Sequence, residues 1–322
     1  MPKVSVIIPN FNHGRFLKRR VQTVLDQTFQ DFELIYLDDA STDNSEEVIS
    51  EFLGDPRIKV FSNEVNSGNP FQQWNKGVRL AQGEYVWIAE SDDYADSRFL
   101  ETLIPVLDAN PKVGLAYCQS SRIDENDRPV AAIEDFLTGE GRWAGDFIND
   151  GKDECKRFLA SRNTVPNASA ILLRRSAYEA AGFADETLQL CGDWMMWIRV
   201  LLVSDIAFVA KRLNYYRTNI NSVRHRNSDR VTYHEEAYRV VRYAQERIRI
   251  PDEILEQTCQ TLLGGWVNSI MRRRTLKPWN QTRAIYRNAS TVDQRLKSRL
   301  LKNVASTIAG SLRPNRRIEY KL

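Results

Sequence analysis

This chain of 322 residues has only four cysteines, Cys118, Cys155, Cys191 and Cys259, and none stands in a paired or metal-binding pattern. That spacing excludes a disulfide framework and a zinc ribbon, and it fits a reducing compartment. No apolar run approaches the roughly 20 residues needed to span a bilayer. Strand-like residues begin at Val4, so the sequence predicts no cleaved leader and a cytoplasmic location. Glycine-rich phosphate loops are absent too. After the first apolar run the chain reads Pro9-Asn10-Phe11-Asn12-His13-Gly14, not the Gly-x-Gly-x-x-Gly of a dinucleotide-dependent oxidoreductase. A Walker loop, a zinc finger, repeats and low-complexity stretches are likewise missing, so no nucleic-acid partner is expected.

Charge is present but segregated. The net charge is +3, yet from Trp266 onward fourteen Lys and Arg face two acids, which leaves −9 on the first 265 residues. The basic end carries Leu296, Leu300, Val304, Ile308 and Leu312 in one helical row, with Leu301 and Ala305 beside it and Lys297, Arg299 and Lys302 around it. Such a stripe either packs on the rest of the protein or on a second subunit, or lies on an anionic membrane surface. Tyr233 to Ile250 and Asp252 to Met271 also read as helices, so residues 226–322 are expected to form a helical extension.

The first 225 residues alternate differently. Apolar runs at 4–8, 33–37, 58–61 and 86–89 read as buried strands, and Pro9 is expected to end the first. Helical patterns follow them, with Phe16, Leu17, Val21, Val24 and Leu25 in the first and Val48, Ile49 and Phe52 in the second. Strand-helix alternation of this kind implies right-handed crossovers, hence an α/β fold with an open, mostly parallel sheet flanked by helices. Ligands bind such sheets at the carboxyl ends of the strands. Three polar turns fall on that rim: Pro9–Asn12, Asp38–Asp43 and Glu90–Asp93.

The last turn is the most informative. Glu90, Asp92 and Asp93 crowd three carboxylates into four positions after a buried strand. Their repulsion calls for a counter-charge, and a hard divalent cation with oxygen ligands and substrate phosphates supplies one. An acidic turn that merely caps the next helix is the plainer alternative. Asp38 and Asp39 lack an obvious structural task, because Ser41, Thr42 and Asp43 are better placed to cap the following helix.

In order and spacing, the segments Ser5–Asn12, Gln27–Glu33, Asp38–Asp43, Asn66–Gly68 and Gly83–Tyr85 leading into Glu90–Asp93 resemble family 2 glycosyltransferases of the GT-A fold. The resemblance implies an inverting transfer of sugar from a nucleotide-diphosphate donor, most commonly UDP, to a hydroxyl acceptor. It implies Mg²⁺ or Mn²⁺ as cofactor, a saccharide or lipid-linked acceptor, and a role in cell-surface polysaccharide or glycolipid synthesis. Phe11, beside Pro9, takes the position that stacks on the base; Asp39 takes the one that contacts base or ribose. Glu90-Ser91-Asp92 stands where the family has Asp-x-Asp, with Asp92 on the metal and Asp93 behind it or on the sugar. Trp74 replaces a common arginine, and Lys76 is the candidate to take over its charge.

Further along, Cys191-Gly192-Asp193-Trp194 matches the family segment whose acid is the catalytic base. The family often has Glu-Asp there, so Gly192 leaves Asp193 as the candidate, with Asp185 and Glu186 in reserve. A base is needed because the acceptor hydroxyl loses its proton as the new bond forms. Arg217 and His225 lie in a segment similar to the one that carries basic groups toward the phosphates or the metal. Acceptor choice is assigned to the irregular stretch from Asp124 to Phe158, where Phe136, Trp143 and Phe147 either stack on sugars or fill the core. The expected organisation is a GT-A transferase domain over 1–225 and a helical basic extension over 226–322, with a homo-oligomer open. The alternative is a non-catalytic nucleotide-binding or scaffold protein on the same fold.

Overall fold

The computed structural model describes residues 1–130, 141–165, 167–218, 230–273 and 279–311. The chain forms two compact units, one of residues 1–159 and 163–226, the other of 160–162 and 227–322.

In the first unit, nine strands form one sheet. They are β1 (Val4–Asn10), β2 (Phe32–Asp38), β3 (Ile58–Ser62), β4 (Tyr85–Ile88), β5 (Tyr94–Ala95), β6 (Val113–Ile123), β7 (Phe147–Asn149), β8 (Ile171–Arg174) and β9 (Asp205–Arg217). The order is β3-β2-β1-β4-β8-β6-β9-β5, with β7 also on β9. β1, β2, β3 and β4 run parallel, and so do β6 and β9. β5, β7 and β8 join antiparallel. Strands β1 and β4 are buried throughout, as continuous apolar runs covered on both faces should be.

Pro9 lies inside β1 instead of ending it. The neighbouring residues explain why. Ile7 turns its carbonyl to β4 and Asn10 turns its own to β2, so Pro9 faces the β4 side. The β4 ladder has already finished at the Ile7–Ile88 pair, so the missing proline N–H is not required there.

The helices are α1 (Gly14–Leu25), α2 (Ser45–Ser50), α3 (Pro70–Leu80), α4 (Phe99–Ala109), α5 (Gly151–Glu154), α6 (Arg175–Ala180) and α7 (Gly192–Leu201). α1, α2 and α4 bury Leu17, Val21, Ile49, Leu103 and Leu107 with Val4, Val6, Ile8 and Leu34 in one core. α3 packs on β1 and β2, and a Cβ added at Gly77 would lie 2.4 Å from Ile7 Cγ2. Asn69 caps α3 through Oδ1, which accepts from Phe71 N at 2.8 Å, and Pro70 follows where its lack of an N–H costs nothing. Between β1 and β4 the strand order reverses, which opens a crevice at their carboxyl ends.

The second unit contains α8 (Arg230–Gln245), α9 (Asp252–Arg273), α10 (Trp279–Val292) and α11 (Leu296–Ser311). α8 packs on α9 and α10, and α11 packs on α9. Leu296 is buried, Leu300 and Val304 are half-buried, and Leu301 is exposed. Arg299 is tied to Glu256 at 3.0 Å and to Asp293 at 3.1 Å. The apolar row of α11 thus meets its own unit as far as its side chains are described. No helix among the described residues is long and apolar enough to cross a membrane.

Candidate active site

The turn after β1 is pinned by its neighbour after β2. Asn10 Nδ2 is within reach of Asp38 Oδ1 at 3.1 Å, Ser41 Oγ at 3.1 Å and Ser45 Oγ at 2.9 Å. Asn12 sits at φ 57°, a left-handed conformation that asparagine tolerates better than most residues. Its Oδ1 accepts from Thr42 N at 2.7 Å. Asp43 accepts from Gly14 N at 2.8 Å. These bonds hold Phe11 outward, 38% exposed at the strand end, while Pro9 is buried.

Both aspartates after β2 have structural work, contrary to the sequence reading. Asp38 Oδ2 accepts from Ser41 N at 2.8 Å. Asp39, 5% exposed, accepts from five donors: Asn63 Nδ2 (2.6 Å), Ser67 N (2.9 Å) and Gln73 Nε2 (2.8 Å) on Oδ1, Asn66 Nδ2 (3.1 Å) and Ser67 Oγ (2.7 Å) on Oδ2. A carboxylate offers about four lone-pair sites. Asp39 therefore organises the 63–69 loop, and a base or ribose would have to displace a protein donor to reach it. Lys76 Nζ joins the same network through Asn63 Oδ1 at 2.6 Å.

The acidic turn after β4 is clamped at each position but one. Glu90 Oε1 accepts from Trp74 Nε1 at 2.7 Å, and Glu90 N donates to Ser169 Oγ at 3.1 Å. Ser91 Oγ lies 2.9 Å from His13 Nδ1. Asp93, buried, accepts from Asn167 Nδ2 at 3.1 Å and from Arg217 N at 2.9 Å. Asp92 is held by its backbone, where its carbonyl accepts from Arg217 Nε at 2.7 Å. Its half-exposed carboxylate makes no hydrogen bond or ion pair to a described residue, which leaves it open to a ligand.

Beneath the turn, Arg20 is fully buried, with Nε donating to Glu90 O at 2.8 Å. Its Nη1 and Nη2 have no partner among the described residues. Burial lowers the Arg20 guanidinium to about 10, against the pull of Asp93, Asp92 and Glu90. One guanidinium does not balance three carboxylates. Burial and the charge of Asp92 push Glu90 up to about 8, and the same two causes raise Asp93.

This donor set fits a divalent cation. It is all oxygen, carries excess negative charge and leaves Asp92 unengaged. Among the described residues no three His, Cys, Asp or Glu side chains form a ready cage. Mg²⁺ does not need one, since one or two carboxylates, waters and substrate phosphates complete its shell.

Asp193 stands in the first turn of α7, half-exposed, with Asn163 Nδ2 on its Oδ2 at 3.0 Å. Asp193 Oδ1 accepts from Trp194 N at 2.7 Å. The reserve acids are engaged elsewhere. Asp185 accepts from Thr187 N at 3.0 Å and pairs with Arg199 at 3.4 Å. Glu186 Oε1 accepts from Asn75 Nδ2 at 2.7 Å.

Arg217 is 3% exposed, and each guanidinium nitrogen has a protein acceptor: Asp92 O, Asp124 O and Asp127 Oδ1. It braces the turn in this arrangement. His225 and Phe136 lie outside the described residues. Trp143 is buried with Nε1 donating to Tyr117 OH at 2.8 Å, so it fills the core. Phe147 lies beneath Arg142, 3.9 Å from ring to guanidinium.

Sequence reading missed His13, Arg20, Asn167 and Ser169. Each is a single polar residue far along the chain from the turn it holds. Only Arg20 left a trace, as a charge on the apolar side of α1 next to Val21 and Leu17. A cavity of about 610 Å³ exists elsewhere in the first unit, lined by Lys112, Asp150, Lys152 and Asp205; Asp150 and Lys152 belong to the stretch assigned to acceptor choice, and none of the donor-site or base candidates lines it.

Known proteins share this architecture. The chain is 30% identical over 231 residues to the glycosyltransferase GlyG of Streptococcus pneumoniae, covering 68% of this chain and 72% of that protein. It is 44% identical over 107 residues, 32% of each chain, to the poly(ribitol-phosphate) beta-N-acetylglucosaminyltransferase TarP of Staphylococcus aureus. Residues 1–349 of S. aureus TarS, solved with UDP, superpose with a TM-score of 0.65 over 97% of this chain and 93% of that one, at 16% identity. The fold is therefore that of the GT-A enzymes. The model for "Glycosyl transferase family 2" matches residues 5–182, more than half of the chain, and with the crevice, its acidic turn and these relatives it establishes that the chain belongs to that family.

Proposed function

We propose that this glycosyltransferase is an inverting, metal-dependent enzyme that takes UDP-sugar as donor and a saccharide or lipid-linked hydroxyl as acceptor, in the synthesis of a cell-surface polymer. The observation that carries the reading is the clamped turn after β4, where Asp92 alone keeps an open carboxylate at the crevice. The UDP bound to TarS and the poly(ribitol-phosphate) in the name of TarP support the donor and a polymeric acceptor.

In this reading the first unit is the transferase domain. Phe11 offers an apolar face to the base, a contact on the order of 1 kcal/mol. Glu90 and Ser91 face the ribose and Asp93 backs the sugar. Asp92 would hold Mg²⁺ or Mn²⁺, which when bound supplies positive charge to the departing diphosphate. Asp193 accepts the acceptor proton as the hydroxyl oxygen attacks the anomeric carbon. The bond from that carbon to the diphosphate oxygen breaks on the opposite face, so one displacement inverts the centre. Exposed Leu301 with Lys297 and Lys302 beside it supports a peripheral contact with an anionic membrane surface, on the cytoplasmic side in this reading.

Calorimetric titration with UDP, GDP and dTDP, each with and without Mn²⁺, tests the reading. The expected result is Mn²⁺-dependent binding of UDP that Asp92→Ala abolishes and Asp193→Asn retains. If no nucleotide binds under either condition, the transferase assignment fails. If Asp193→Asn leaves function intact, the protein binds the donor without catalysis.

A further inference from the structure

Four side chains, Glu90, Trp74, Trp197 and Phe71, form one contiguous path that ends at Gly192. Trp74 on α3 donates Nε1–H to Glu90 Oε1 at 2.7 Å. Its ring stacks on Trp197 of α7, with centroids 5.8 Å apart and planes 25° apart. The same ring meets Phe71 edge-on at 5.0 Å. Phe71 in turn lies against Gly192, where an added Cβ would come within 2.3 Å of Cε2. Gly192 immediately precedes Asp193.

We propose that Trp74 is a positioning residue that couples the donor-binding turn at Glu90–Asp92 to the α7 segment carrying Asp193. The inference rests on the transferase reading and deepens it.

The chemistry at each end is specific. Trp74 is 3% exposed, so its indole N–H has no water to fall back on and depends on Glu90. A glutamate reaches the indole, whereas an aspartate at 90 is one methylene shorter. On the other side, any side chain at 192 meets the Phe71 ring. The bond fixes one carboxylate oxygen of Glu90, and so sets which way the other faces. The aromatic stack makes the placement of α7 depend on the same indole. Rigid, packed elements of this kind carry coupling only if both ends respond to one perturbation.

Calorimetry with UDP and Mn²⁺ on wild type, Trp74→Phe, Glu90→Asp and the double variant tests the proposal. Trp74→Phe keeps an aromatic ring and removes the N–H. Glu90→Asp breaks the same bond without touching the aromatic cluster, so it carries the test if Trp74→Phe melts too low to study. Each single variant is expected to weaken UDP binding about tenfold, and the double variant is expected to be no worse than the weaker single.

Indole ¹⁵N–¹H spectra provide the second readout. In wild type, UDP with Mn²⁺ should move the signals of both Trp74 and Trp197. In Glu90→Asp at saturating UDP, the Trp197 signal should stay in place. A purely structural role for Trp74 would not produce that difference. If wild type binds UDP and the single variants match it, or their losses add in the double variant, the coupling is wrong and the transferase reading stands. If wild type binds no nucleotide, both fall.

Discussion

Arg217 and Asp93 hold each other where β9 ends: Arg217 N donates to Asp93 Oδ1 at 2.9 Å, while Arg217 Nε returns to the Asp92 carbonyl at 2.7 Å. The end of β9 thereby fixes the backbone of the acidic turn from which Asp92 projects. The guanidinium spends its remaining nitrogens on Asp124 O and Asp127 Oδ1. Arg217, expected from the sequence to reach a phosphate or the metal, braces the turn in this arrangement.

Replacing Arg217 by Met should therefore damage stability first. Removing one partner from a buried ionic network costs about 3–5 kcal/mol. At 2–4 °C per kcal/mol for a domain of this size, melting should fall by roughly 6–20 °C. Arg217→Lys should recover only part, because one ammonium cannot serve three divergent acceptors. A drop of less than about 2 °C for Arg217→Met would contradict this network.

The acidic turn also makes stability depend on pH. Glu90 is pushed from its ordinary 4.5 up to about 8 by burial and by the charge of Asp92. The folded protein then holds a proton that the unfolded chain has released. Its contribution to stability is complete below about pH 4.5 and is lost as pH rises toward 8. Melting temperature of the metal-free protein should fall across that window, and Glu90→Gln, which cannot ionise, should flatten the fall. If the turn holds Mn²⁺ as proposed, the metal would compete with the proton and its affinity should rise over the same range. A slope that Glu90→Gln leaves untouched would locate the proton elsewhere.

Gly192→Ala tests the packing behind Asp193. Its Cβ would come within 2.3 Å of Phe71 Cε2, and the ring is buried against Trp74. Overpacking of this kind costs about 1–3 kcal/mol. Since the clash sits one residue from Asp193, turnover should drop by about tenfold even where the protein remains folded. Comparing kcat at 20 °C with melting temperature separates the two effects. Unchanged turnover in a folded Gly192→Ala protein would mean that α7 absorbs the methyl without moving its first turn.

Much of this site was legible because strands carry strong local signals. Apolar runs ending in polar turns located β1, β2 and β4, and their parallel pairing necessarily put the three turns on one rim. The crowding of Glu90, Asp92 and Asp93 pointed to a cation for electrostatic reasons that need no structure. What the chain did not disclose was how its other polar side chains were committed. Asp39 looked free because its five donors come from residues 24 to 34 positions later. His13, Asn167 and Ser169 are unremarkable alone and matter only through the strand ends they face. β8 is four residues long and antiparallel, inserted between β4 and β6, and no local periodicity announces such a pairing.

Asp193→Asn is the decisive substitution for the chemistry. Asparagine keeps the size of the side chain and an oxygen that can still accept from Trp194 N, now at 2.7 Å from Asp193 Oδ1. It loses the capacity to take a proton. With its one oxygen on Trp194 N, the new amide would turn its NH₂ toward Asn163 Nδ2, which lies on Oδ2 at 3.0 Å, so one hydrogen bond worth about 1 kcal/mol is lost and melting should fall by only a few degrees. A positioned general base contributes roughly 10²–10⁴-fold, and kcat should fall by that factor. UDP affinity with Mn²⁺ should stay within about twofold if Asp193 acts as the base and not as a donor contact. A loss of nucleotide binding equal to the loss of turnover would instead make Asp193 a donor contact, and would move the search for the base to Asp185 and Glu186, where Arg199 and Asn75 would have to give way.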